Sequence, residues 1–308
     1  MEGAEVNPDI RAFLEAALNR YHRASLGASR TVIATYSTSF SLATRLLSAQ
    51  MRADIRNLYA VVRIADEIVD GTAAAAGCAT DSIAQLLDDY EHAVLTAPGR
   101  RFHTDLILQA YADTARRCGF REDHVRAFFA SMRRDLSAKD HDSGSFDDYV
   151  HGSAEVIGLL CLSVFLNGRI VGVSRRRELE EGARSLGAAF QKINFLRDLA
   201  EDQTQLGRTY FPGLRAGELT EEHKNMLIDD IRLDLDRARG VMGWLPLQAR
   251  AGVLAALDLF SSLTDTIAAT PAPELLNTRI RVRPLRKAGI AAAAVVRAPI
   301  MGIRGAAS

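Results

Sequence analysis

Two stretches of the chain carry side chains whose types and spacing could do chemistry. In VVRIADEIVDG, Asp66 and Asp70 stand four apart, so on a helix they share one face, about 6 Å apart along the axis. Arg63 lies three residues before Asp66 on that face, and Glu67 three before Asp70. In GAAFQKINFLRDLAEDQTQLGRTYFP, one helical face presents Gln191, Asn194, Asp198 and Asp202 in succession, with Glu201 beside them and Arg197 and Arg208 close in sequence. Stacked carboxylates repel each other. The first pair also sits just before Gly71, at a helix C-terminal end where the macrodipole disfavours anions. One such pair alone reads as a solvated helix face. Two of them, each embedded in an apolar helix, call for a cation. Mg²⁺, with Mn²⁺ as a substitute, takes oxygen ligands from a few carboxylates, phosphates and waters. Two aspartate-bearing helices facing each other across a bundle would hold a metal–diphosphate from both sides.

The elements that must position these groups are helical. Apolar residues recur at three and four, as in Leu58, Val61, Val62, Ala65 and Val69, and convincing two-residue alternation is missing. The fold class predicted is all-α. Helices are expected near 9–24, 30–47, 52–70, 82–96, 104–118, 122–137, 146–172, 176–205, 221–238, 242–268 and 285–297, with Ser145 or Asp142 capping the one that carries Tyr149. No break is long or polar enough for a linker, so 1–308 reads as one domain.

Composition removes several classes. With 38 basic and 38 acidic side chains the net charge is zero, so nucleic acid is not an expected partner and any anion site is local. Cys78, Cys118 and Cys161 form no CxxC pair, which points to a reducing compartment rather than a disulfide framework. The first residues lack the apolar segment of a signal peptide, and no run of 18 residues is free of charges and turn signals, so the expected location is cytoplasmic with no spanning helix. From Arg279 onward the chain has seven basic residues, no acid, and the apolar stretch AGIAAAAVV. That tail, 285–308, reads either as a docked terminal helix or as a peripheral contact with the anionic inner face of the cytoplasmic membrane.

The stretch YSTSFSLATRLLSAQMRADIRNLYAVVRIADEIVDG resembles the first signature of the phytoene/squalene synthase family of head-to-head prenyl synthases. NFLRDLAEDQTQLGRTYFP is similar to its second signature, and FDDYVHGSAEVIGLL to its substrate-pocket helix. The resemblance covers about residues 30–290, and the wording YSTSF and GSAEVIG is most similar to bacterial phytoene synthases. It implies an isoprenoid-synthase bundle with a central cavity. There Asp66, Asp70, Asn194, Asp198 and Asp202 would hold Mg²⁺, while Arg63, Arg197 and Arg208 would grip diphosphate, Gln191 lining the same face. An internal salt bridge to a nearby aspartate explains each arginine equally well. Tyr36, Ser37, Ser39 and Phe40 fall at the early substrate-contacting motif, with ordinary helix start and capping as the other reading, and Tyr149 would stand near the reacting carbons or else serve as a core tyrosine. Ala154 and Gly158 would leave room for a long chain, although close helix packing explains Gly158 as well. On the first reading, Gly158→Phe should fill the pocket. Two positions depart from the family pattern. Glu67 replaces a second aspartate, and Phe260 stands where a tyrosine is common, leaving a ring face but no hydroxyl. The implied reaction is condensation of two geranylgeranyl diphosphates, via prephytoene diphosphate, to 15-cis-phytoene, with NADPH not expected. A C30 synthase using farnesyl diphosphate is the alternative. A class I terpene cyclase should carry an NSE-type second motif in place of RDLAED.

Overall fold

The computed structural model describes residues 7–137, 143–201, 211, 219–278 and 280–305. In chain order the helices are α1 (Pro8–Tyr36), α2 (Thr38–Thr44), α3 (Ala49–Val69), α4 (Thr72–Ala75), α5 (Thr80–Thr96), α6 (Leu106–Cys118), α7 (Glu122–Ser137), α8 (Ser143–Val150), α9 (Val156–Leu166), α10 (Val173–Glu201), α11 (Glu221–Gly240), α12 (Leu247–Ala269), α13 (Ala272–Leu275) and α14 (Pro284–Gly305). No strand occurs among the described residues. Asp202, Arg208 and Asp142 lie outside them, as does the side chain of Ser39, which sits in α2.

Several boundaries differ from expectation for physical reasons. The segments expected as separate helices near 9–24 and 30–47 are one helix up to Tyr36, because the small residues between them are a packing seam and not a break. Ser25 and Ser29 are fully buried, and Ser25 Oγ satisfies itself by donating to the Tyr21 carbonyl at 3.0 Å. The break falls at Ser37, whose amide donates to Ile33 O while its side chain accepts from the Phe40 amide, ending one helix and capping the next. Ser145 is no cap; it lies inside α8, and its carbonyl accepts from Arg134 at 3.3 Å. Between α8 and α9 the chain widens into a single π-helical turn, His151–Glu155, so helix runs continuously from Ser143 to Leu166 rather than on to 172. Such turns accommodate one extra residue and re-aim the side chains around it.

The two aspartate-bearing helices are each pinned to a neighbour by a buried polar anchor. On α3, the buried Asp54 accepts from Thr114 Oγ1 at 2.8 Å and Arg117 Nη2 at 2.5 Å on α6, and Asn57 donates to the Ala110 carbonyl and to Thr114 Oγ1. On α10, Lys192 donates to Asp230 at 2.5 Å and Asp234 at 2.8 Å on α11. Apolar packing does the rest. Leu58, Val61, Leu87, Tyr111 and Phe129 form one cluster around α3, α5, α6 and α7. Leu162, Ile193, Leu196, Ile231 and Leu257 form another across α9 to α12. Full burial of each such side chain is worth roughly 1.5–3 kcal/mol. Residues Gly144–Leu166 and Leu247–Ala269 are long and apolar enough to cross a membrane by length and composition, but both carry charged residues and in this fold they are mostly buried bundle helices.

Candidate active site

A cavity of about 1060 Å³ runs through the bundle, walled by α2, α3, α9, α10 and α12 and by the strip Ile280–Lys287. Its lining is apolar along most of its length and polar at one end. From α3 come Asp66, Arg63 and Tyr59; from α10 come Asp198, Arg197, Asn194 and Gln191. Tyr36, Ser37 and Phe40 face it from the α1–α2 corner, and Ala154 and Gly158 from the α9 side. The structure thus brings one aspartate of each signature, Asp66 and Asp198, to one space, while Asp70 stands beside Asp66 off the lining.

Charge at the polar end is arranged around unfilled demands. The Asp66 carboxyl is pushed up to about 8, first by burial and then by the charge of Asp70, with Arg63 pulling the other way and Asp135 on α7 adding repulsion. Asp70 is exposed at the C-cap of α3, where its amide donates to Asp66 O at 2.8 Å and Gly71 follows at φ +107 to end the helix. Asn194 Oδ1 is buried without a hydrogen-bond partner among the described residues, as are Ser153 Oγ and Arg63 Nε. A buried carbonyl oxygen left unmatched costs about 1–3 kcal/mol unless something comes to meet it.

Arg63 is held rather than free. It pairs with Glu67 and lies 3.8 Å from Asp66, and its guanidinium sits 4.3 Å above the Tyr36 ring. Glu67 also accepts from Thr72, and although burial opposes ionisation, the hydrogen bonds from Thr72 and Arg63 keep its carboxyl below the usual range. Glu67 therefore orients Arg63. Arg197 closes on Asp198, with Nε donating at 2.8 Å and Nη2 completing the fork, which is the internal salt bridge weighed from the sequence. Ser37 Oγ uses one lone pair on the Phe40 amide at 3.2 Å and keeps its proton to donate.

Of the two readings of Tyr149, the structure favours the core tyrosine. It lies in the apolar core beside Phe195 and off the cavity lining, with its hydroxyl donating to Asp135 at 2.9 Å. Asp135, whose charge acts on Asp66, went unmarked in the sequence because it stands alone in RRDLS. Gly158 lines the cavity, and of its two readings the structure favours close packing. A Cβ there would come within 2.3 Å of the Ala183 carbonyl on α10, and one on Gly187 within 2.4 Å of the Ala154 carbonyl. Gly158 thus serves close helix contact, and a larger side chain would strike backbone before it filled the cavity.

The basic strip before and into α14 was missed as part of the site. Arg281, Arg283 and Lys287 line the cavity, and burial with the nearby charges of Arg197 and Arg281 pulls the Lys287 ammonium down. At the other wall Phe260 stacks on Phe190, with ring centroids 3.8 Å apart.

A family model described as squalene/phytoene synthase matches residues 33–286. The chain belongs to that family. Membership places it among prenyltransferases. Phytoene synthase 1, chloroplastic, of Arabidopsis thaliana is 30% identical over 263 residues, which cover 77% of this chain but 58% of that protein. Phytoene synthase of Mycobacterium tuberculosis is 29% identical over 298 residues, covering 87% of this chain and 89% of that one. Among solved structures, a dehydrosqualene synthase in complex with ligand superposes with a TM-score of 0.76 at 18% identity, covering 90% of this chain and 97% of the other. Squalene synthase HpnC from Alicyclobacillus acidocaldarius gives 0.68 at 20% identity, covering 81% and 96%. The fold is that of the isoprenoid synthases.

Proposed function

We propose that the protein joins two geranylgeranyl diphosphates head to head, through prephytoene diphosphate, to 15-cis-phytoene, releasing two diphosphates. The observation that carries this reading is one apolar cavity lined by Asp66 and Asp198, one from each aspartate signature, together with Arg63, Arg197 and Lys287. The phytoene synthases among its relatives support the C40 product.

The donor set fits a hard divalent cation such as Mg²⁺, with Mn²⁺ as substitute. Asp66 and Asp198 offer carboxylate oxygens, Asp70 adjoins Asp66, and Asn194 Oδ1 is an oxygen without a partner among the described residues. Among those residues no three acidic, histidine or cysteine side chains form a preformed metal cluster, so diphosphate oxygens and water would complete the coordination. When bound, the metal neutralises charge on the departing diphosphate.

The chain's own residues supply the remainder. Each stage breaks a C–O bond to leave an allylic or cyclopropylcarbinyl cation, and the electron pair leaves with diphosphate. Arg63, Arg197 and Lys287 stand where that charge develops. A C–C bond then forms, and one proton is lost after coupling and another after rearrangement. The ring faces of Phe190 and Phe260 stabilise cationic carbon without offering a nucleophile. The apolar walls exclude water, which would otherwise capture the cation as an alcohol. No reductant enters this sequence, so NADPH is not required. We further propose a cytoplasmic protein, peripheral on the inner face of the cytoplasmic membrane, on the ground of the basic, partly apolar tail.

Diphosphate release tests the reading. Geranylgeranyl diphosphate with Mg²⁺ should give release that a chelator abolishes and Asp198→Asn suppresses. Release that continues unchanged in chelator would count against the assignment.

A further inference from the structure

At the end of the cavity away from Asp66 and Asp198 the wall is a corner instead of a helix face. Val241, the 3₁₀ turn Met242–Trp244 and Leu245 join α11 to α12, and Val241, Met242 and Leu245 line the cavity together with Leu179 and Gly182 of α10. Gly182 lets this corner close. A Cβ there would lie 2.3 Å from Val241 Cγ2, so the valine methyl occupies the notch that a side chain would fill.

The corner is held from behind. Arg250, 8% exposed, donates through Nη2 to the Gly243 carbonyl at 2.7 Å and the Leu245 carbonyl at 2.8 Å, and through Nη1 to the Ala298 carbonyl of α14 at 2.8 Å. A Cβ on Gly243 would meet the Met301 carbonyl at 2.8 Å, so α14 seats directly on the turn. Outside, the Arg175 guanidinium lies 4.9 Å from the centroid of the Trp244 ring. Backbone fixed by a buried guanidinium on one side and a stacked indole on the other does not yield easily to a longer ligand.

The geometry points to this corner, Val241–Leu245 closing on Gly182, as the floor of the hydrocarbon cavity and the element that sets the longest prenyl chain accepted. The inference rests on the prenyl diphosphate reading above and refines its substrate. Asp198 and Gly182 lie on one helix, about 24 Å apart at 1.5 Å per residue. An extended geranylgeranyl chain is about 20 Å long and a farnesyl chain about 15 Å, taking roughly 1.25 Å of advance for each C–C bond of about 1.5 Å. The longer chain therefore reaches from the polar end almost to the notch. A side chain that intrudes by one isoprene unit, about 5 Å on the same basis, would admit only the shorter.

The test compares kcat/KM for farnesyl, geranylgeranyl and geranylfarnesyl diphosphates in the wild type, Val241→Phe and Val241→Ala. Val241→Phe should raise the C15:C20 ratio at least tenfold. Val241→Ala, which vacates the notch beside Gly182, should raise the C25:C20 ratio at least fivefold. If the phenylalanine variant does not fold, the alanine variant decides alone. Ratios equal to wild type in the folded variants would overturn the floor. A wild type that prefers farnesyl diphosphate would overturn the C20 reading, while opposite shifts in the two variants would still uphold the floor.

Discussion

Asp66 and Asp198 reach the same polar pocket from helices 132 residues apart in sequence, and each has a guanidinium already against it. That pairing explains how acidic helices fold before substrate arrives, and it sets what their loss should do. Asp66→Asn and Asp198→Asn are each expected to lower turnover at least about a hundredfold, roughly 2.7 kcal/mol of barrier, with thermal unfolding little changed. Folded variants with near-normal turnover at saturating Mg²⁺ would remove the metal assignment. A second expectation concerns pH. Because the Asp66 carboxyl is raised to about 8, a metal ion proposed to bind there has to compete with its proton below that value, and the competition eases as pH rises. The Mg²⁺ concentration giving half-maximal activity should therefore fall between pH 7 and pH 9; an unchanged value would contradict the assignment. At this scale the sequence was informative where spacing alone brings groups together, as in Asp66 with Asp70 or Asn194 with Asp198. It was silent on Asp135, Arg281 and Lys287, which join the site only through tertiary packing, and it could not tell that Glu67 steadies Arg63.

Helix α9 and the π turn before it meet α10 backbone to backbone, with Gly158 admitting the Ala183 carbonyl and Gly187 admitting the Ala154 carbonyl. Along this reciprocal seam Ser153, Ala154 and Gly187 all line the cavity, as Asn194 does further along α10. Gly158→Ala should thus cost about 1–3 kcal/mol of stability, read as a Tm lowered by several degrees, and should not change chain-length preference. A stable variant with shifted preference would restore the pocket-filling reading of that glycine. The anchor on α3 makes a parallel case. Asp54→Ala leaves Arg117 without its buried partner, and the expected loss is about 3–5 kcal/mol in chemical denaturation. A loss under 1 kcal/mol would show that α3 is positioned by apolar packing alone. The existence and type of nearly every helix were legible from the three-four period. Their ends were less so, because buried serines in α1 mimic a break and the π turn at His151–Glu155 leaves no mark in the pattern.

Across the whole molecule, α14 bears on both readings of the tail that the sequence left open, a docked helix and a membrane contact. Its start contributes Lys287 to the cavity, and Ala294 and Ala298 bury it against α12, so the tail is docked. Leu285, Val296 and Ile300 nevertheless stay exposed, with Arg286 beside them, as a peripheral membrane contact requires. Co-sedimentation with vesicles should rise with anionic lipid, fall with salt, and drop several-fold in Val296→Asp/Ile300→Asp. Equal binding to neutral and anionic vesicles would refute this contact. The cavity that α14 helps close is where the central claim stands. Burying the five carbons that distinguish the C20 from the C15 substrate could contribute a few kcal/mol at about 0.8 kcal/mol per CH₂. Product analysis with geranylgeranyl and farnesyl diphosphates, each with and without NADPH, tests that claim most directly. The expected result is a C40 hydrocarbon, phytoene, formed from geranylgeranyl diphosphate at the higher kcat/KM and without NADPH. A preference for farnesyl diphosphate, with a C30 product, would contradict it.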